Sequence, residues 1–268
     1  MQLRDPPLGG HPLDVLVRQD IRGVDVCHTG SVVSRGGNVN AALGDRSAMD
    51  GDRFRETVES AKSTELERLG SNKHLIALTD ATLEPEAVLR AAADSEHAAH
   101  TTFAGWAADA ADDDADADDE AAAELFAWLA ERERDHRERV LDSLSAMGVE
   151  HDPVDGGTMH KYLRAREDPI ERVAAGTVGR GLVSDRSHLQ IVSFFVNEGD
   201  EGRADLFRDL RAETEEELER GLTLLADACG TDDDWERARM VAEYVVQIAY
   251  DDYADALTGM GIDVKPVC

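Results

Sequence analysis

The sequence predicts an all-α protein, a helical bundle, on three observations. Apolar residues recur at three- and four-residue steps in six segments, the period of a helix with one buried face. Between those segments stand Asp, Gly and Pro residues of the kind that begin and end helices. The second half also reads like a diverged copy of the first. VLDSLSAMGVE at Val140 matches YADALTGMGID at Tyr253 in spacing and type, and KHLIAL at Lys73 resembles SHLQIV at Ser187. Two three-helix units are therefore expected, over residues 49–148 and 160–268, joined by a linker at 149–159. Chance likeness between alanine-rich helices is the alternative.

Residues 1–48 are rich in Gly and Pro, contain no Glu and show no sustained period. They predict a disordered tail or a start assigned too far upstream, with Met49 favoured as the initiator, and no role in the fold. The first helix is expected from about Asp52, its N-cap, to Thr79, with Phe54, Val58, Ala61, Glu65, Leu69, Asn72 and Ile76 on one stripe. Thr82 then caps a second helix, with Pro85 in its first turn, running to about Ala108 through Leu89, Ala92, Glu96, Ala99, Phe103 and Trp106. His100 borders that stripe and His97 lies further round. The Asp- and Ala-rich segment from Asp109 to Glu120 predicts a solvated loop. A third helix follows from Ala121 to Met147, with Ala122, Phe126, Leu129, Val140, Leu144 and Met147 on its stripe. Beyond the Pro- and Gly-containing HDPVDGGT at His151 come three more helices: Pro169, capped by Asp168, to Phe195; Asp200 to Cys229; and Trp235 to Leu257.

Composition narrows the function classes. The 268 residues carry a net charge of −29, yet the first fifty hold five Arg and six Asp and contribute only −1 of it. Four Lys against 24 Arg, with so large an acidic excess, is the surface chemistry of cytoplasmic proteins from salt-in extreme halophiles. The Debye length there falls to roughly 3 Å at 1 M salt, so self-repulsion is tolerable. Most acidic runs are accordingly read as solvated faces. So acidic a chain, without a basic stripe, is not expected to bind nucleic acid directly. Cys27, Cys229 and Cys268 form no Cys-x-x-Cys pair, which argues against a zinc knuckle or a rubredoxin-type iron centre. No apolar run reaches membrane-spanning length and no hydrophobic signal core opens the chain, so a cytoplasmic protein is expected.

The chemistry is expected inside the bundle. In the third helix the stripe is interrupted by Glu133 and His136, a Glu-x-x-His pair on one face. A buried carboxylate beside a buried imidazole is costly unless something pairs with both, and a metal ion would do so. Glu65 stands sixteen residues before the turn near Ala81 and Glu96 fifteen after it, which puts them at equal depth. Glu96 and Glu133 are likewise each thirteen residues from the acidic loop, so three glutamates are expected in one layer.

Glu65, the ADSEHAAH stretch around Glu96, and ERDH at Glu133 to His136 together resemble the rubrerythrin-like branch of the ferritin-like superfamily over about residues 52–147. The resemblance implies a ferritin-like bundle holding a di-iron or di-manganese centre, with Glu65, Glu96, Glu133 and His136 as metal ligands and His100 as a second nitrogen ligand. It also implies oxygen or peroxide chemistry, with electrons from a separate donor protein. A homodimer is compatible with it. The sequence departs from the pattern in having Ala99 three residues after Glu96, and Val246 and Ala249 where a second copy of Glu133 and His136 would stand. Asp94 with His97 keeps the three-residue spacing off the stripe, and Asp185 with His188 offers a further Asp-x-x-His.

Structural alternatives stand beside each residue. Glu133 with His136 could be a hydrogen-bonded pair anchored by Arg132 or Arg137, Glu65 and Glu96 could turn to arginine or solvent, and His188 could be a satisfied core histidine. The sequence also resembles halophile proteins that are sometimes labelled transcription antitermination proteins. That resemblance implies the other reading, a metal-free helical scaffold acting through protein partners.

Removing residues 1–48 is expected to leave the thermal unfolding midpoint in molar KCl unchanged; a drop of many degrees would show that the segment belongs to the folded core.

Overall fold

Why a helix-period sequence becomes a bundle is visible in what each helix buries. The computed structural model describes residues 49–109 and 117–265, and every regular element among them is helical. The segment 1–48 and most of the acidic loop lie outside the described residues.

Helices α1 (Gly51–Ala61), α2 (Ser63–Leu69) and α3 (Lys73–Leu78) occupy the stretch expected to form one helix. Asp50, not Asp52, is the first N-cap, its carboxylate accepting from the Arg53 N–H at 2.9 Å. At Lys62 the backbone leaves the helical region (φ −111°, ψ 22°), and the register of the apolar face slips by one residue. Leu66 and Leu69 therefore face the core, whereas Ala61 is exposed and Glu65 is only partly buried.

Helices α4 (Pro85–Asp109) and α5 (Ala117–Ser145) form a long antiparallel pair. The second begins four residues before the expected Ala121, inside the stretch read as loop, and Met147 lies past its end and is exposed. After a short helix α6 (Thr158–Arg164), which the sequence reading passed over, α7 (Pro169–Val173) opens with Asp168 as N-cap, as expected. It runs through a π-helical turn at Ala174–Gly179 into α8 (Arg180–Glu198). Helix α9 (Glu201–Ala228) returns along α8, and α10 (Asp232–Gly259) crosses the π-helical turn and packs on α1, α2 and α3.

The two long pairs face each other and build the core in layers. One apolar cluster includes Phe103, Trp106, Phe126, Leu129, Leu182 and Leu218, and the other Leu89, Val140, Leu144, Ile191, Phe195 and Phe207. Along each helix the change from one cluster to the other falls at polar residues. These are Glu96 in α4, Glu133 and His136 in α5, His188 in α8, and Thr214 and Glu217 in α9, all buried. A polar layer is thus sandwiched between two apolar ones.

The described residues belong to one compact unit, Ser47–Cys268. The best-matched repeat segments share a helix-ending device. In both, a glycine at positive φ (Gly148, 76°; Gly261, 73°) lets the next residue donate to the carbonyl five positions back, Val149 to Leu144 at 3.1 Å and Ile262 to Leu257 at 2.9 Å.

The π-helical turn is wedged between neighbours that leave no room for side chains. A Cβ at Gly179 would come within 2.8 Å of the Ala242 carbonyl oxygen, whereas one at Gly105 in α4 would meet nothing within 4 Å. Gly179→Ala is therefore expected to cost ~1–3 kcal/mol and Gly105→Ala to stabilise by ~0.5–1 kcal/mol. Urea unfolding in molar KCl checks both; equal effects would refute the close packing.

Candidate metal centre

The polar layer is built around Arg180. The wider π-helical turn precedes it, and residues 173–184 are all buried, so this side chain cannot reach solvent. Such turns recur at functional sites because they re-aim a side chain within an otherwise regular helix. The Arg180 guanidinium donates from Nη2 to Glu133 Oε1 in a short contact and to Glu217 Oε2 at 2.8 Å. Its Nε donates to the Gly176 carbonyl at 3.2 Å, and the guanidinium lies 5.1 Å from the centre of the Phe103 ring. Burial alone would favour losing its proton, but the charges of Glu133, Glu217 and Glu96 outweigh that and raise its pKa.

On the other side of Glu133 stands His136. Its Nε2 is 2.7 Å from Glu213 Oε2, and Glu213 is held in turn by Arg139 at 3.1 Å. Its Nδ1 faces Glu133 Oε2 at 3.7 Å and Glu96 Oε2 at 3.8 Å. Glu96 Oε1 accepts from His188 Nε2 at 3.1 Å. Glu133 Oε2 and His136 Nδ1 are both buried and make no hydrogen bond. Donor atoms from Glu96, Glu133 and His136 all lie within 4.8 Å of one another.

The electrostatics follow from burial and pairing. Burial opposes the imidazolium of His136, but the carboxylates of Glu133, Glu213 and Glu96 around the ring dominate and push its pKa up to about 12. Burial likewise opposes ionisation of Glu96, yet the His136 ring beside it and the hydrogen bond from His188 hold its pKa well below the usual range. Glu217 goes the other way: burial and the neighbouring Glu133 charge raise it well above the usual range, against the pull of Arg180. Glu213, bonded to His136, is lowered to about 2.

Of the residues predicted from sequence, the structure brings Glu96, Glu133 and His136 together. Glu65 is not among them: the slip at Lys62 turns it aside, and its partner is Lys62 Nζ at 3.5 Å. His100 is not among them either, since its Nδ1 meets the Ala130 carbonyl at 2.8 Å. Asp94 pairs with His151 at 2.7 Å, His97 lies 3.4 Å from Arg137, and Asp185 is held by Arg186 and Arg211. His188 does reach the layer. Arg180, not Arg132 or Arg137, is the arginine on Glu133.

Arg180, Glu217 and Glu213 escaped the sequence reading. For Glu217 a signal existed, because it continues the stripe Leu210, Thr214, Gly221 and Leu225, all of which are buried with it and one of which, Gly221, closely approaches Thr177. Its place in the run ETEEELE concealed it.

Arg180→Met leaves Glu133 and Glu217 buried without their cation, and is expected to cost ~3–5 kcal/mol in urea unfolding. Adding Glu217→Leu should restore part of that loss; strictly additive losses would mean that Arg180 and Glu217 do not interact.

Comparison with protein-family models, curated proteins and solved structures finds no match, so the functional reading rests on the geometry of this chain.

Proposed function

We propose that this chain is a metal-binding helical-bundle protein that holds one divalent cation between Glu96, Glu133 and His136. The observation that carries the reading is the pair of buried, unpartnered atoms, Glu133 Oε2 and His136 Nδ1, converging with Glu96 Oε2 at separations of 3.7 and 3.8 Å from the imidazole nitrogen. Ligands at ~2.1 Å from a common ion would subtend roughly 120–130° at those separations, a reasonable coordination angle. The far nitrogen of His136 meets a carboxylate, Glu213, the usual support of a metal-bound imidazole. Two carboxylates and one imidazole suit iron, manganese or zinc.

The rubrerythrin-like resemblance favours iron, and with it oxygen or peroxide reduction fed by a separate electron donor. A bound iron would supply the one-electron redox change. The chain's own residues would position and shield the centre. His188 orients Glu96, Glu213 and Arg139 orient His136, and the apolar layers above and below exclude water. Arg180 favours one ion over the expected two, because its guanidinium already spans Glu133 and Glu217, where a second ion would need their oxygens.

A second reading has its own support. Arg180 already bridges Glu133 and Glu217 and His136 is bonded to Glu213 without any metal, which suits a metal-free scaffold acting through a protein partner.

Elemental analysis of protein purified in molar KCl separates the readings. About one iron, manganese or zinc per chain, lost in Glu133→Gln, is the expected result. About two would favour the two-ion centre of the resemblance, and none, even after loading with ferrous iron, would favour the scaffold.

A further inference from the structure

Beside the polar layer, α3, α4, α6, α8 and α10 enclose a cavity of about 400 Å³. Glu96 and His188 form part of its wall, and Leu78 and Val154, both substantially exposed, mark where it meets the surface. Its size is that of a small-molecule site, and most of its lining is apolar, with Leu75, Val88, Val183 and Ile191 among the contributors. We propose that this cavity is a binding site for a small, neutral, mainly apolar molecule bearing a hydroxyl donor, of the phenol class.

The argument comes from which polar atoms in the wall still have hydrogens to give. Ser187 donates its hydroxyl hydrogen to the Val183 carbonyl at 3.1 Å, so at its 2.8 Å contact with His74 Nε2 the serine accepts and the imidazole donates. His74 is buried, and burial pushes its pKa down to about 4, so the ring is neutral and Nδ1 carries a bare lone pair. That nitrogen is without a partner but has almost no accessible surface, so it does not open onto the cavity. Thr102 donates to the Ala98 carbonyl at 2.8 Å, so it accepts from His160 Nδ1 at 3.1 Å. Burial and the nearby Arg180 and Arg164 lower the His160 pKa to about 3, which leaves its Nε2 as a second bare acceptor. Ser71 gives its hydrogen to the Arg68 carbonyl, so Tyr253 donates to Ser71 across 3.4 Å and keeps its lone pairs. His160 Nε2 and the Tyr253 hydroxyl oxygen thus remain as acceptors, the Ser187 oxygen already accepts from His74, and the Ser95 and Ser184 hydroxyls complete the polar part of the wall.

Charge selects further. Among the described residues no Arg or Lys lines the cavity, whereas Asp94, Asp252 and Glu96 do, so a carboxylate or phosphate ligand meets no counter-charge from them. A cation is poorly served as well. Glu96 is already bonded to His188, Asp94 to His151 and the Val154 N–H, and Asp252 is solvent-exposed. A neutral donor on an apolar body is the chemistry that remains.

Calorimetry on the full chain in molar KCl, with chelator present so that metal plays no part, tests this with three probes of one shape. p-Cresol is expected to bind saturably at one site per chain, roughly three- to tenfold tighter than 4-methylanisole, which lacks the donor, and 4-methylbenzoate is expected not to bind. Ala91→Trp, which fills the cavity from its wall, should abolish p-cresol binding. His160→Phe, which removes one acceptor, should narrow the difference between p-cresol and its methyl ether. Absence of saturable p-cresol binding to the unmodified protein, equal affinity for cresol and anisole, or binding of 4-methylbenzoate would each overturn the proposal.

Discussion

The buried guanidinium of Arg180, held between Glu133 and Glu217, is the constraint on which the rest of this bundle depends. A charge placed between two apolar layers is stable only when every neighbour is paired to it. Here α5, α8 and α9 must meet at one depth to supply the pairing, which fixes how the two long helix pairs face each other. The same requirement explains the π-helical turn. Its width places Arg180 inward, while Gly179 lets α10 approach closely enough to close the layer from behind and Gly176 makes room for Trp106 and Phe103 of α4.

The layer also explains why one site supports two functional readings. Glu133 uses one oxygen on Arg180 and leaves the other unpartnered beside His136 Nδ1. The first half of that arrangement is a self-neutralised salt bridge; the second is a coordination corner. A guanidinium and a metal ion would then be neighbours sharing one carboxylate, each lowering the cost of burying it. The exposed arginines tell a different story. Arg134, Arg208 and Arg239 pair along their own helices at exposed or partly exposed positions. At molar salt such pairs are screened and contribute little, so stability rests on the apolar layers and on the buried network between them.

How much of this could be read from the residues alone follows from where regular helix geometry holds. The stripes of α4 and α5 are unbroken, so Glu96, Glu133 and His136 were legible as interruptions of an apolar face. Glu65 failed because the argument assumed one helix, and a single non-helical residue at Lys62 turns everything after it. Arg180 follows GTVG, whose helical period is itself distorted by the π turn, so no stripe pointed to it. Glu217 lay on a legible stripe but among five glutamates in seven residues, in a composition where most acidic runs face solvent. The best-matched segments of the two halves share a glycine C-cap, which accounts for their likeness in spacing without requiring common descent.

The most direct test of the account is the position of metal in a crystal. Crystals soaked in manganese and measured at an anomalous-scattering wavelength are predicted to show one peak ~2 Å from Glu96, Glu133 and His136, with Arg180 still bridging Glu133 and Glu217. Two peaks roughly 3.5–4 Å apart, with Arg180 swung away, or carboxylates that turn outward from a dry apolar core, would contradict it.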